Sequence, residues 1–409
     1  MLGIKPDVKL KCCVCGSEYE VTAPSAVGPC RACGDIVDFV YDYGSVSLRK
    51  ELRPVPSMWR YEALLPLNSK YAVSIGEGFT PLLKAERLGR ELGLDALYLK
   101  LDSLNPTGSF KDRGASLTVS MFRLLGVKGL LTFSTGNAGV AQAAYCSAAG
   151  MNSVVLVPEV ASREKIVQML AYGSKVVMVK GTYDDCRRLA VEACDRLGYV
   201  LNGGLLTPTR HEGKKTLAFE VAEGLGWRVP DFYVQAVGLG TGFYAAYKGF
   251  MELVYTGEAE AIPKMVLVQA EGAAPVARSY LSGSSVLMPV SSPRTVASAI
   301  AVGSTPGYWL LKKALDDSGG TPVIVDDNDI LKAVRMLASL EGVLAEPAGA
   351  APIAGIARLR EDGFIDRDDL VVAVITGHGL KDAKALLQVS GEPKMVNASL
   401  DEVVGAVTE

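Results

Sequence analysis

The chain has 409 residues, 49% of them apolar and 21% charged, with a mean hydropathy of +0.23, which supplies sizeable cores for two or three domains and excludes a mostly disordered polymer. Forty-two basic against 45 acidic residues give a net charge of −3, so no basic excess is present to hold a nucleic acid. The longest apolar runs, such as residues 370–375, fall far short of the roughly 20 residues of a membrane span, and the start MLGIKPDVKLKCC has no apolar signal core. The expectation is a cytoplasmic protein with no membrane and no nucleic-acid partner, whose eight cysteines are thiols or metal ligands rather than disulfides.

The first element is a pair of C-x-x-C turns, Cys12/Cys15 and Cys30/Cys33, each followed by glycine (Gly16, Gly34). Two such turns bring four thiolates to one ion in the closed tetrahedral arrangement of structural zinc; the competing reading is a redox pair with two chance cysteines. Up to Asp42 the segment has four basic and six acidic residues, opposite to a nucleic-acid-binding ribbon. It carries little core of its own, so metal binding would supply its folding energy. Residues 45–60, with Pro54 and Pro56, read as a linker laid over the next domain.

From about residue 70 the texture changes. Near-continuous apolar runs at 97–101, 130–134, 153–158, 175–180, 231–237, 265–270, 322–326 and 370–376 alternate with alanine-rich amphipathic stretches. Strands apolar on both faces belong to parallel sheets covered by helices. Their number predicts an α/β protein with two lobes and a cleft between them. The tail reads as a short helix with Ser399 as N-cap.

Four strand-to-helix turns carry the chemistry. NPTGSFKDRG (105–114) puts Lys111 at a helix start, where a charged amine opposes the helix dipole but a Schiff-base lysine does not. In STGNAG, Ser134, Thr135, Gly136, Ala138 and their neighbours expose backbone N–H groups suited to a carboxylate, and Asn137 adds an amide that can donate to a phenolate oxygen. In GLGTG, the amides of Gly238, Leu239, Gly240, Thr241 and Gly242 can close around a phosphate; the spacing is not that of a dinucleotide fold. In TGHGLKD, Thr376 ends a strand and offers a neutral hydroxyl to a ring nitrogen. Each turn alone also reads as a surface charge or an ordinary N-cap. Together they supply the fixtures of pyridoxal 5′-phosphate at the carboxyl ends of separate strands.

At this point residues 70–385 resemble the threonine synthase family of the fold type II (tryptophan-synthase-β-like) pyridoxal-phosphate enzymes. The carriers are GEGFTPL, NPTGSFKDRG, STGNAG, RHEGKKT, QAEGAAP, TVASAI, EPAGAA and TGHGLKD, and the N-terminal ribbon with WRYEALLPL fits archaeal-type members. The resemblance implies a two-lobed fold, with a zinc ribbon at 1–44, a large cofactor-binding domain at 45–115 and 216–409, and a small substrate domain at 116–215. It implies a carbon–oxygen lyase acting on phosphate: γ-elimination of phosphate from O-phospho-L-homoserine, then water addition, giving threonine. Lys111 would hold the cofactor covalently and move protons, Asn137 would meet its phenolic oxygen, 238–242 its phosphate and Thr376 its ring nitrogen. Arg210, with Lys214 and Lys215, would meet the substrate phosphate, or would form a solvated basic turn. Related enzymes are often dimers, which admits a homodimer here. Two departures, Ala138 in place of the family's threonine and GLGTG in place of GNAGN, keep a β-replacement enzyme acting on O-phosphoserine, or a threonine-dehydratase-like deaminase, as alternatives.

Overall fold

A computed structural model describes residues 3–134, 136–159, 162–181 and 183–408. Its strands form three sheets. The ribbon sheet has the order β2-β1-β3 and is antiparallel, with β1 Lys9–Cys12, β2 Glu18–Tyr19 and β3 Val37–Val40. The larger lobe is built on β4 Leu82–Lys84 and β5 Ala96–Lys100. The smaller lobe follows, with β6 Gly129–Phe133, β7 Asn152–Pro158, β8 Lys175–Val179 and β9 Val200–Leu201 in the order β8-β7-β6-β9. The chain then returns to the first lobe with β10 Phe232–Ala236, β11 Lys264–Ala270, β12 Thr321–Val325 and β13 Leu370–Val374, giving β12-β11-β10-β13-β5-β4. All pairs in the two lobes are parallel except β4 with β5.

All eight apolar runs read from the sequence are strands, and the fold is the expected α/β type. Central strands such as β10 are buried at every residue because helices cover both faces. The antiparallel β4 and the two-residue β9 have too few residues to show a period. The segment at 45–60 is more than a covering linker at its end. Met58 and Trp59 are buried, and the Trp59 indole donates to Glu77 Oε1 at 2.8 Å and to Ser116 Oγ at 3.0 Å. The tail helix, Leu400–Thr408, is present where the sequence put it. No helix among the described residues is long and apolar enough to cross a membrane.

The order β10-β13-β5 positions the site. These three neighbouring parallel strands end on the same edge, and the turns after them are 238–242, 376–382 and the loop leading to Lys111. That edge is where parallel sheets hold ligands.

Candidate active site

The loop before Lys111 is shaped by its own residues. The Asp112 carboxylate accepts from Thr107 N at 2.7 Å and from Thr107 Oγ1 at 2.5 Å, and Gly108 takes φ +81°, which favours glycine. The loop is pinned to the β13 turn by Phe110 N donating to Thr376 O at 3.0 Å and by a bridge between Ser109 and Gly377. Lys111 is therefore the first residue of the helix Lys111–Leu124. Its Nζ lies 3.8 Å from the centre of the Phe110 ring. Phe110 also abuts the glycine loop: a Cβ at Gly242 would collide with its ring, and Gly240 has φ +87° at the start of the helix Thr241–Tyr255. Lys111, Thr376 and the 238–242 loop are thus brought together through one aromatic ring.

The 134–139 turn reaches the same place from the smaller lobe. Ser134 Oγ accepts from the N–H groups of Gly136 and Gly139, both at 3.2 Å, holding the turn at the start of the helix Asn137–Ala149. Asn137 Nδ2 donates to Glu346 Oε1 at 2.7 Å, and Lys165 Nζ lies 3.3 Å from Glu346 Oε2. Glu346 N in turn donates to Gly377 O at 3.0 Å, which closes the circuit back to the Thr376 turn. Ala138 is half-buried beside Asn137; Thr135 lies outside the described residues.

Charge distinguishes this cleft. Burial, then the positive charges of Arg210 and Lys165, push the Lys111 amine down to about 7, with Glu346 opposing. Lys214 is lowered well below the ordinary lysine value by burial, Arg210 and Lys111, and its Nζ donates to Arg210 O at 2.7 Å. Arg210 is half-buried, while the solvated-turn alternative is overturned for Lys214 and Lys215, which are both buried. The structure also separates the two: Lys215 faces the other way and pairs with Glu212 and Glu252. Sequence reasoning missed Glu346 and Lys165. Glu346 had a signal, because it precedes Pro347 at a helix start within EPAGAA. Lys165 had none, because Arg163-Glu164-Lys165 reads as a solvated helix face.

The residues fit pyridoxal phosphate on their own chemistry. A lysine lowered to about 7, and so neutral in a large fraction near pH 7, suits condensation with an aldehyde. Asn137 Oδ1 and Ser109 Oγ, in two of the site's turns, are buried without a hydrogen-bond partner among the described residues. A glycine loop at a helix N-terminus suits an anion. The ribbon residues likewise fit a metal. The Sγ atoms of Cys12, Cys15, Cys30 and Cys33 all lie within 4.8 Å of one another, with Cys12–Cys33 at 3.5 Å and Cys15–Cys30 at 3.7 Å. Tetrahedral zinc–thiolate geometry needs about that spacing. The two turns repeat one design: Gly16 N donates to Cys12 O and Gly34 N to Cys30 O, while Val14 N and Ala32 N donate to Cys12 Sγ and Cys30 Sγ.

Comparison with known proteins agrees with this geometry. Residues 73–377 match the family model of pyridoxal-phosphate dependent enzymes. The chain is 40% identical to the threonine synthase of Methanosarcina acetivorans, over 97% of this chain and 98% of that protein. It is 38% identical to that of Methanocaldococcus jannaschii, over 96% and 97%. Among solved structures it resembles threonine deaminase isoform 2 from Solanum lycopersicum, with TM-score 0.65 and 25% identity over 76% of this chain and 87% of that one. Maize serine racemase, at TM-score 0.66 and 20% identity over 76% and 90%, shares the fold. With a lysine, a glycine loop and a strand-end hydroxyl on one edge of the sheet, and relatives matching nearly end to end, the chain belongs to the threonine synthase family of pyridoxal-phosphate dependent enzymes.

Proposed function

We propose that the protein converts O-phospho-L-homoserine and water to L-threonine and inorganic phosphate. The observation that carries this reading is the charge around Lys111, where the cations Arg210 and Lys165 outnumber the one carboxylate, Glu346, that acts on the amine. Such a site suits an amino acid that carries a phosphate. The named relatives support the same reading.

Bound pyridoxal phosphate would act as the electron sink that makes the substrate's α-proton acidic. Lys111 Nζ would hold it and serve as the base that takes and returns protons. Residues 238–242 would receive its phosphate, Thr376 its ring nitrogen and Asn137 its phenolic oxygen. The turn of Ser134, Thr135, Gly136 and Ala138 would hold the substrate carboxylate, although the Ser134 N–H is bonded to Leu156 O and the Gly136 N–H would have to leave Ser134 Oγ to take part, and Arg210 would hold the phosphate. Lys165 reaches Glu346 across the lobe boundary, and Lys381 Nζ reaches Gln168 Oε1 and Thr107 O, both at 2.7 Å. These crossings would shield the reacting carbons from water until hydration is due. We read the four ribbon cysteines as a structural zinc site, and the three sheets as the centres of units 1–44, 45–115 with 216–409, and 116–215.

The test is to offer the cofactor-loaded protein O-phosphohomoserine and, separately, O-phosphoserine with and without sulfite. Threonine and phosphate in equal amounts from the first are expected. Turnover of O-phosphoserine alone would replace this reading with β-replacement.

A further inference from the structure

The ribbon touches the catalytic lobe through one strand and its extension. Along β3, Val37 and Phe39 are buried in the ribbon's apolar core while Asp38 points the other way. Asp38 Oδ1 lies 2.7 Å from His211 Nε2, and Asp38 Oδ2 accepts from Tyr244 Oη at 2.5 Å. The next carbonyl, Phe39 O, accepts from Lys248 Nζ at 2.8 Å. Tyr41 Oη then donates to Glu212 Oε1 at 2.5 Å, and Tyr43 Oη to Glu252 Oε1 at 3.1 Å. Four ribbon residues, Asp38, Phe39, Tyr41 and Tyr43, therefore add an ion-pair approach to His211 and three hydrogen bonds to a buried cluster in which Lys215 and Lys248 already pair with Glu212 and Glu252. Without the ribbon, His211 would lose the carboxylate beside it, Tyr244 its acceptor and Lys248 one of its acceptors.

The two elements that receive these contacts also carry the anion-binding parts of the active site. His211 and Glu212 belong to the helix Pro208–Lys214, in which Arg210 directly precedes them. Tyr244 and Lys248 belong to the helix Thr241–Tyr255, which opens on the glycine loop. The first helix has no slack on its inner side. A Cβ at Gly213 would collide with Arg113 O, and one at Gly114 would lie 2.7 Å from Arg210 O. It is held between the Lys111 helix and β3, with Thr118 and Thr209 hydroxyls 2.8 Å apart. A shift of β3 is therefore passed on to Arg210 rather than absorbed. β3 is itself fixed by the metal-site ladder, since Val37 pairs with Cys12.

We propose that Asp38 is a positioning residue for substrate-phosphate binding, acting through His211 on Arg210, so that the metal-bearing ribbon sets affinity for the phosphate group. The inference rests on the reading of Arg210 as the substrate-phosphate contact. A ribbon that only stabilised the fold would change the active fraction and the melting temperature, leaving the affinity of the remaining enzyme untouched.

The experiment uses the cofactor-loaded full chain. KM for O-phosphohomoserine, and equilibrium affinity for inorganic phosphate by calorimetry, are measured for the parent, Asp38→Ala, Asp38→Asn and Arg210→Ala proteins. They are measured again for the parent after its ribbon metal is stripped by a chelator and after zinc is restored. Asp38→Ala and metal removal are expected to raise KM and weaken phosphate binding together, by about 5-fold or more, the size of ordinary site-to-site coupling. kcat should change less, Asp38→Asn should recover part of the loss, and zinc should restore the stripped protein. If Arg210→Ala weakens phosphate binding while Asp38→Ala and metal removal do not, the coupling is wrong and the phosphate reading stands. If Arg210→Ala changes nothing, both fall. Should Asp38→Ala fail to fold, the metal arm decides alone.

Discussion

Lys111 and Arg113 stand two residues apart on one helix and sit in opposite kinds of buried charge. Every N–H of the Arg113 guanidinium has a partner: Nε donates to Asp102 Oδ2, Nη1 to Thr216 and Glu220 Oε1, and Nη2 to Asp102 Oδ1 and Glu220 Oε2. Lys100 completes the set on Glu220 at 2.7 Å, so two cations meet two carboxylates. Around Lys111 the balance is different. Arg210 and Lys165 act on it together, against the single carboxylate Glu346, and two buried oxygens of the site's turns, Asn137 Oδ1 and Ser109 Oγ, have no partner among the described residues. A saturated, neutral cluster holds a shape. A buried cluster with surplus positive charge leaves work for an incoming anion, and that difference separates scaffold from site.

The largest effect should come from Lys111→Ala. Turnover is expected to fall by about 1,000-fold or more, with loss of the bound cofactor's visible absorbance. Denaturant stability of the cofactor-free protein should be no lower than the parent's, because the substitution removes a buried cation that burial already disfavours. A matching loss of stability would erase the contrast with Arg113.

Arg113→Ala should show the reverse pattern. It strands Asp102 without a cation and leaves Glu220 with Lys100 alone in a site almost closed to water, and removing one partner of such a cluster costs roughly 3–5 kcal/mol. Equilibrium unfolding of the cofactor-free protein measures it; a change under about 1 kcal/mol would mean that the cluster is not the scaffold of the Lys111 helix. Gly240→Ala is expected to be milder and local. It forces a side chain into φ +87° against Leu311, and should appear as weaker cofactor retention on dialysis.

The same contrast explains what could be read from the sequence. Near-continuous apolar runs have an unmistakable texture, so all eight strands were legible, and so were the turns that follow them; burial on both faces was wrong for β8, which lies at the sheet edge and is exposed or half-buried throughout. Lys111, Asn137 and Thr376 were legible because each closes a strand-turn-helix unit whose geometry is local. Lys165 was not, because its burial is created by a distant partner, Glu346, 181 positions further on. His211 and Asp38 were hidden for the same reason: a lone histidine in a basic stretch and an acidic residue on a ribbon acquire meaning only when β3 docks. The two cysteine turns were the easiest of all, since a repeated C-x-x-C-G shape carries its whole geometry within five residues.

The smallest effect is also the most direct probe of the surplus charge. Lys111 stands at about 7 rather than the ordinary 10.5, so in the cofactor-free protein the neutral amine accumulates as pH rises through about 7. Condensation with added pyridoxal phosphate should follow that fraction, rising between about pH 6 and 8 and then levelling, when followed by stopped-flow absorbance. Glu346 opposes the depression, because a nearby negative charge favours the ammonium form. Glu346→Gln keeps an acceptor for Asn137 Nδ2 but removes that charge, leaving Arg210 and Lys165 unopposed. The midpoint should therefore move to lower pH, by about 1 unit. A midpoint that stays near 10 in the parent, or moves upward in the variant, would mean that the cations in this cleft do not act on the lysine, and the electrostatic distinction between Lys111 and Arg113 would collapse.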